Sequence, residues 1–327
     1  MINEKNVWRL VLGDVEVIRV VDWQGPYIPS LDLLPGSTSE LWKANEAWLA
    51  PDHWDPETDR AVVALQSWVL RSGGRTVVID PGVGNGRERP GAPRFHHWQG
   101  DFLGGLERAG VRREDVDVVV NTHLHADHVG WNTTAAEGGW APTFPNAQYL
   151  VPAADDAHFG PENGYANGLR EVDRLIYEDS VAPIHRSGQA VRWDGAHRID
   201  KNLTLESAPG HTPGSSVLRL TSGSDRAVFV GDLVHNPLQL LRPDCSSCLC
   251  HDPVRAAASR MRILERAASE KELVVPAHFG GAGAVEVRKE HGGFTLGAWA
   301  RPAAAVADPD GGPSRTAAAP PPRTSSN

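Results

Sequence analysis

Residues 121–130 read Asn121-Thr122-His123-Leu124-His125-Ala126-Asp127-His128-Val129-Gly130. They directly follow 116–120 (VDVVV), apolar and β-branched enough for a buried strand, so their side chains emerge where a strand gives way to a loop. Three imidazoles and one carboxylate within six residues are an unusual density of donors. Neutral imidazole nitrogen and carboxylate oxygen suit zinc and similar divalent ions. His123 and His125, two apart in extended chain, project to the same side. The adjacent Asp127 and His128 diverge, and reach a second ion if the chain turns there. Three later segments each place a His or Asp after a strand or in a turn: Gly210-His211-Thr212-Pro213-Gly214, Gly231-Asp232, and Pro276-Ala277-His278.

Outward from this segment, strands alternate with helices. Residues 14–22 (DVEVIRVVD) alternate as a strand should, and 61–71 with 75–80 form a hairpin around Ser72-Gly73-Gly74. The second arm ends in Asp80-Pro81-Gly82, a turn at a strand's carboxyl end. A helix is predicted over 98–110, closed by Gly110, then a strand near 148–151 and a helix near 166–178. Strands near 202–207, 215–221 and 226–231 precede a helix over 253–270 and a short strand, Leu273 to Val275. The pattern predicts an α/β architecture. The stretch 24–60 is rich in Pro and Trp and weak in periodicity, and reads as an excursion serving as a lid or dimer contact. From Pro302 the chain holds almost nothing large and apolar, which predicts a disordered tail over 302–327 behind one domain, 1–301.

Hydrophobic residues make up 40% and charged residues 22% of the 327, ample for a core. The formal net charge of −9 argues against binding a phosphate backbone, so no nucleic-acid partner is expected. No stretch approaches the roughly 20 apolar residues of a membrane helix, and no secretory signal is evident. The three cysteines, Cys245, Cys248 and Cys250, share one short loop and make a poor disulfide framework. They are read as free thiols near the active face rather than a separate zinc site, and a reducing cytoplasm is expected.

In order, THLHADHVG, APGHTPGS, FVGD and VPAHF resemble the metallo-β-lactamase superfamily over about residues 14–280. The resemblance implies a four-layer αβ/βα sandwich with two metal ions at one edge between its sheets. It implies that His123, His125 and His211 hold the first ion, that Asp127, His128 and His278 hold the second, and that Asp232 bridges both. Asp80 matches a position that supports the metal loop. The 82 residues between His128 and His211 make the chain more similar to the branch of methyl parathion hydrolase and the larger acyl-homoserine lactonases than to compact lactonases.

Two divalent ions, zinc first among the candidates, lower the pKa of a bridging water and give a hydroxide near neutral pH. The expected function is therefore metal-dependent hydrolysis of a lactone or other carboxylic ester, a small-molecule substrate. Phosphotriester and thioester hydrolysis, including polyketide release or cyclisation, are the alternatives. A metal-dependent redox enzyme is less favoured. Asp127 is read as ligand and proton acceptor. His235 stands where the lactonases commonly place a tyrosine, and is read as a hydrogen-bonding or proton-donating catalytic residue. Trp131 and Phe279 are expected to wall the pocket. His96, His97 and Trp98, which precede a helix, are read as packing first and as a border of the pocket second.

Overall fold

A computed structural model describes residues 7–161 and 170–301. The predicted tail and the first part of the helix expected at 166–178 lie outside the described residues. The chain opens with strands Val7–Leu12 (β1), Val15–Pro29 (β2), Trp54–Asp55 (β3), Arg60–Ser72 (β4), Arg75–Ile79 (β5) and Val118–Val120 (β6). A hairpin of Thr133–Ala136 (β7) and Gly139–Pro142 (β8) stands apart. Gln148–Pro152 (β9) and Ala190–Trp193 (β10) complete a sheet ordered β1-β2-β4-β5-β6-β9-β10, with β3 paired to β4. The second sheet runs in chain order through Ala196–Arg198 (β11), Leu203–Ser207 (β12), Ser216–Ser222 (β13), Asp225–Gly231 (β14), Leu273–Pro276 (β15), Val285–Glu290 (β16) and Gly293–Trp299 (β17).

Strand periodicity of two divides the side chains between layers. Leu218 and Leu220 of β13 face Trp68, Leu70, Val77 and Ile79 between the sheets. Val217, one residue out of phase, packs with Val228, Val230 and Val274 beneath Ile263 and Leu264 of the helix Pro253–Glu270. Leu65, Val69, Val78 and Val119 turn the other way, under Phe102 and Leu106 of the helix Phe102–Arg108 and under Ile176 to Ile184. Helix, sheet, sheet, helix: the four expected layers are present. The 253–270 helix matches its predicted span because its local signals agree. Asp252 caps it by accepting from Arg255 N at 2.9 Å, Pro253 sits in the first turn, and Lys271 ends it in a left-handed conformation. Burying Ile263 and Leu264 contributes about 1.5–3 kcal/mol each.

The excursion begins later than expected. Residues 24–29 continue β2, paired with β4 as far as Pro29 and Arg60. Register shifts between Val21 and Trp23 and between Pro26 and Ile28 break the alternation, so this strand shows no clean period in the sequence. Beyond it, the helices Ser30–Leu33, Ser39–Ala44 and Glu46–Leu49 rest on their own cluster of Leu33, Leu34, Trp42, Leu49, Trp54 and Leu238. Strands β1, β3, β7, β8, β10, β11, β16 and β17 were not predicted.

Parallel pairing of β5, β6 and β9, and of β14 with β15, sends Asp80, the 121–130 loop, Asp232 and His278 out at strand ends. The loop between β12 and β13 brings His211 to the same edge. Gly130 is required there for space: its N–H donates to Gly82 O at 2.7 Å, and a Cβ would overlap the Val83 backbone. Among the described residues, no helix is long and apolar enough to cross a membrane.

Candidate metal centre

The strand β6 ends at Val120, and a short helical turn at Ala126–Val129 reverses the chain immediately after His125. That turn separates His123 and His125 from Asp127 and His128, as adjacent diverging ligands require. The donors form two groups, each with ligand atoms within 4.8 Å of one another: His123, His125, His211 and Asp232 in one, Asp127, His128 and His278 in the other. Asp232 lies between them. Its Oδ2 is 3.7 Å from His123 Nε2 and 3.3 Å from His211 Nε2. Its Oδ1 is 3.1 Å from His128 Nε2 and 3.0 Å from His278 Nε2. His125 Nδ1 completes the first group, 3.1 Å from His123 Nε2 and 2.9 Å from His211 Nε2. All seven residues named from the sequence therefore come together.

Among these approaches, the two contacts of His125 Nδ1 are within hydrogen-bonding geometry, but they do not satisfy the whole cluster. His128 Nε2 and Asp232 Oδ1 are buried and make no hydrogen bond. Buried polar atoms left so are costly unless something answers them. Five imidazoles and two carboxylates aimed at two common points fit a pair of divalent cations. The charges agree. Burial and the neighbouring imidazoles hold His123 and His125 well below the usual histidine range, in the neutral form a ligand needs. Burial works against ionisation of Asp232, yet His128, His278, His235 and His123 hold its carboxyl well below the usual range. Against burial, Asp232 and Asp127 raise His278 to about 9, and with Asp80 they raise His128 well above its ordinary value. Protons on these two histidines occupy the electrostatic place that a cation would take.

The outer nitrogens are fixed from behind. His128 Nδ1 donates to Asp80 Oδ2 at 3.0 Å, and Asp80 also accepts from Thr122 N at 2.8 Å and Thr122 Oγ1 at 2.7 Å. This is the support that the resemblance implied for Asp80. His278 Nδ1 donates to Ala64 O at 2.9 Å, and His211 Nδ1 faces Cys250 Sγ at 3.8 Å. Such contacts choose the tautomer and the ring orientation.

The site forms the floor of a cavity of about 1330 Å³ whose wall includes Tyr27, Leu33, Val63, Phe95, Trp98, Phe159 and Ile176. His235 lines it too, with Nε2 3.2 Å from Asp232 Oδ2 and its ring stacked on His278. Burial pushes His235 down to about 4 against the pull of Asp232. A neutral imidazole at pH 7 is a hydrogen-bonding group, the first of the two roles considered for His235 above. Trp131 and Phe279 are corrected, since neither reaches the cavity. Trp131 stacks on Phe102 beneath the first sheet, and Phe279 packs against His53 and Trp299. Cys248 and Cys250 line the cavity while Cys245 is buried in the cluster under Trp42. Among the described residues, these cysteines join no metal-binding group. His96 and His97 gather with Glu88 on the exposed surface.

Residues 62–278 match the model of the Metallo-beta-lactamase superfamily. The chain belongs to that superfamily. Metallo-beta-lactamase domain-containing protein 1 of Mus musculus is 30% identical over 183 residues, 55% of each chain, so the match spans about half of that relative. The superfamily hydrolase AbOPH superposes with a TM-score of 0.73 at 22% identity, over 89% of this chain and 96% of that one. AidC, described as a dizinc quorum-quenching lactonase, superposes at 0.70 and 20% identity, over 89% and 96%. At these identities the likeness is one of the metallo-β-lactamase fold.

One supporting residue was missed. Asp155 is fully buried, and its Oδ2 accepts from Leu124 N at 3.0 Å and Thr212 Oγ1 at 2.8 Å, while Oδ1 accepts from Gly214 N at 2.5 Å. One carboxylate thus ties the His123–His125 loop to the His211 loop, although burial pushes it up to about 6. In Ala-Ala-Asp-Asp after a strand, it reads as an ordinary acidic residue at a helix start. Asp155→Asn turns an amide N–H toward one of these donors. Metal affinity is expected to fall about 10- to 100-fold, read by competition with a chelating dye. Unchanged affinity would remove Asp155 from the support of the site.

Proposed function

We propose that this chain is a dinuclear metal-dependent hydrolase acting on a lactone or other carboxylic ester with an extended apolar acyl portion. The observation that carries the reading is the division of seven donors into two groups about Asp232, on the floor of a large, mainly apolar cavity. Two divalent ions held there supply a water activated near neutral pH as the nucleophile. The chain's own residues do the rest. Phe95, Trp98, Phe159 and Ile176 take the acyl portion out of water and orient it over the floor. Asp127 opens onto the cavity with its side chain 15% exposed, more than Asp232 at 4%, and in this reading it receives a proton and returns it to the departing oxygen. The description of AidC as a dizinc lactonase is consistent with this chemistry on the same fold.

Metal-loaded protein assayed on lactones and aryl esters of graded chain length, with phosphotriesters and thioesters alongside, tests the reading. Turnover of esters or lactones that improves with acyl length is expected. Two bound metals with no turnover of any ester or lactone would overturn it. His235→Ala is expected to lower kcat by about tenfold with both metals retained, since a neutral hydrogen-bonding group is lost from the cavity. Unchanged kinetics would leave His235 a packing residue.

A further inference from the structure

Tyr27 lies near the end of β2, where the strand passes the cavity. Its main chain is held from both sides: Arg94 Nη2 donates to Pro26 O at 3.1 Å and Arg60 Nη1 donates to Tyr27 O at 2.8 Å. Its ring is stacked on Phe95, with centroids 6.2 Å apart and planes 16° from parallel, and the Arg94 guanidinium lies 5.3 Å from the ring centroid. The side chain so fixed shares the cavity with Asp127, His211, Asp232 and His235.

The hydroxyl is what the packing does not explain. Phenylalanine would stack on Phe95 equally well, yet a phenol is placed in a wall continued by Ile28, Pro29 and Leu33. Among the described residues, its hydroxyl makes no hydrogen bond. Burial, with Asp127 acting in the same direction and Arg94 opposing, pushes it up to about 12, so it remains a proton-bearing donor at any working pH. Asp127 and Asp232 of the metal-binding floor line the same cavity. A rigidly held donor with no acceptor among the described residues, in a cavity read as an ester site, has the ester itself to donate to.

We propose that the Tyr27 hydroxyl donates a hydrogen bond to the carbonyl oxygen of the bound ester, making Tyr27 a catalytic residue of this site. The proposal rests on the ester-hydrolase reading above. As the carbonyl carbon is attacked, its oxygen gathers negative charge and the hydrogen bond strengthens. Such a donor acts on kcat more than on KM. No proton is transferred: the phenol keeps its hydrogen throughout.

The test compares wild type with Tyr27→Phe, both full-length and zinc-loaded, on p-nitrophenyl hexanoate and γ-decalactone, with zinc content and melting temperature measured alongside. The expected result is a fall in kcat of about 10- to 100-fold on both substrates. KM should move less than about threefold, with zinc content unchanged. Binding of decanoate, followed by calorimetry, is expected to weaken about 3- to 10-fold through loss of the same donor. Equal kcat in the two proteins would overturn the proposal, as would a fall in kcat matched by a loss of zinc. A wild type inert on both substrates defeats the ester reading itself, and is seen before any variant is compared. Decanoate affinity then still decides whether Tyr27 donates to an acyl oxygen, and equal affinity would overturn that role.

Discussion

Asp232→Asn is expected to lower turnover by at least about a thousandfold and to take zinc content below one ion per chain. The isosteric amide leaves the packing of β14 intact, so the loss is one of charge and donor capacity. In the wild-type arrangement, one carboxylate oxygen serves the His123 and His211 side and the other serves the His128 and His278 side. An amide nitrogen in either position donates where a cation needs an acceptor. Without the carboxylate, four buried imidazoles and the half-buried His125 face one another with only Asp127 to offset two cations. Metal analysis by emission spectroscopy beside a lactone assay checks this. Two zinc ions and wild-type kcat in the variant would refute the bridging role.

Asp127→Asn should separate the two groups. Its carboxylate belongs only to the second, 3.7 Å from His128 Nε2 and 3.6 Å from His278 Nε2, and plays no part in the His123, His125 and His211 group. The expected product holds close to one zinc ion per chain and has lost turnover by about a thousandfold, because both a ligand and the proton acceptor are gone. Zinc content by emission spectroscopy, set against kcat, is the check. Full activity in this variant would contradict the two-ion arrangement. Two retained ions with activity lost would restrict Asp127 to proton handling.

The clustering of the seven candidate donors was legible because their chemistry travels with the residue type. A histidine or aspartate just past a buried strand has few other reasons to be there, and four such segments reinforce one another. The sandwich was legible for a related reason, since β-branched runs of period two or continuous apolar character mark the sheets directly. What could not be read depends on partners far away in the chain. Asp155 gains its role from Leu124, 31 residues away, and from Thr212 and Gly214, 57 and 59 away. Residues 23–29 hid a strand because two bulges scrambled its alternation. Trp131, three residues past His128 in a helical turn, and Phe279, next to His278, point into the helix-side cores, which sequence proximity to a ligand does not reveal. The cavity wall is drawn from segments as distant as Tyr27, Phe95 and Ile176, which no local pattern unites.

The most direct test of the two-ion hydrolase is to strip the protein of metal and titrate zinc back, following hydrolysis of a medium-chain lactone at each step. Activity should be absent in the metal-free protein and rise to its plateau only as the second equivalent binds. Full activity at one equivalent, or lactone turnover by the metal-free chain, would contradict it.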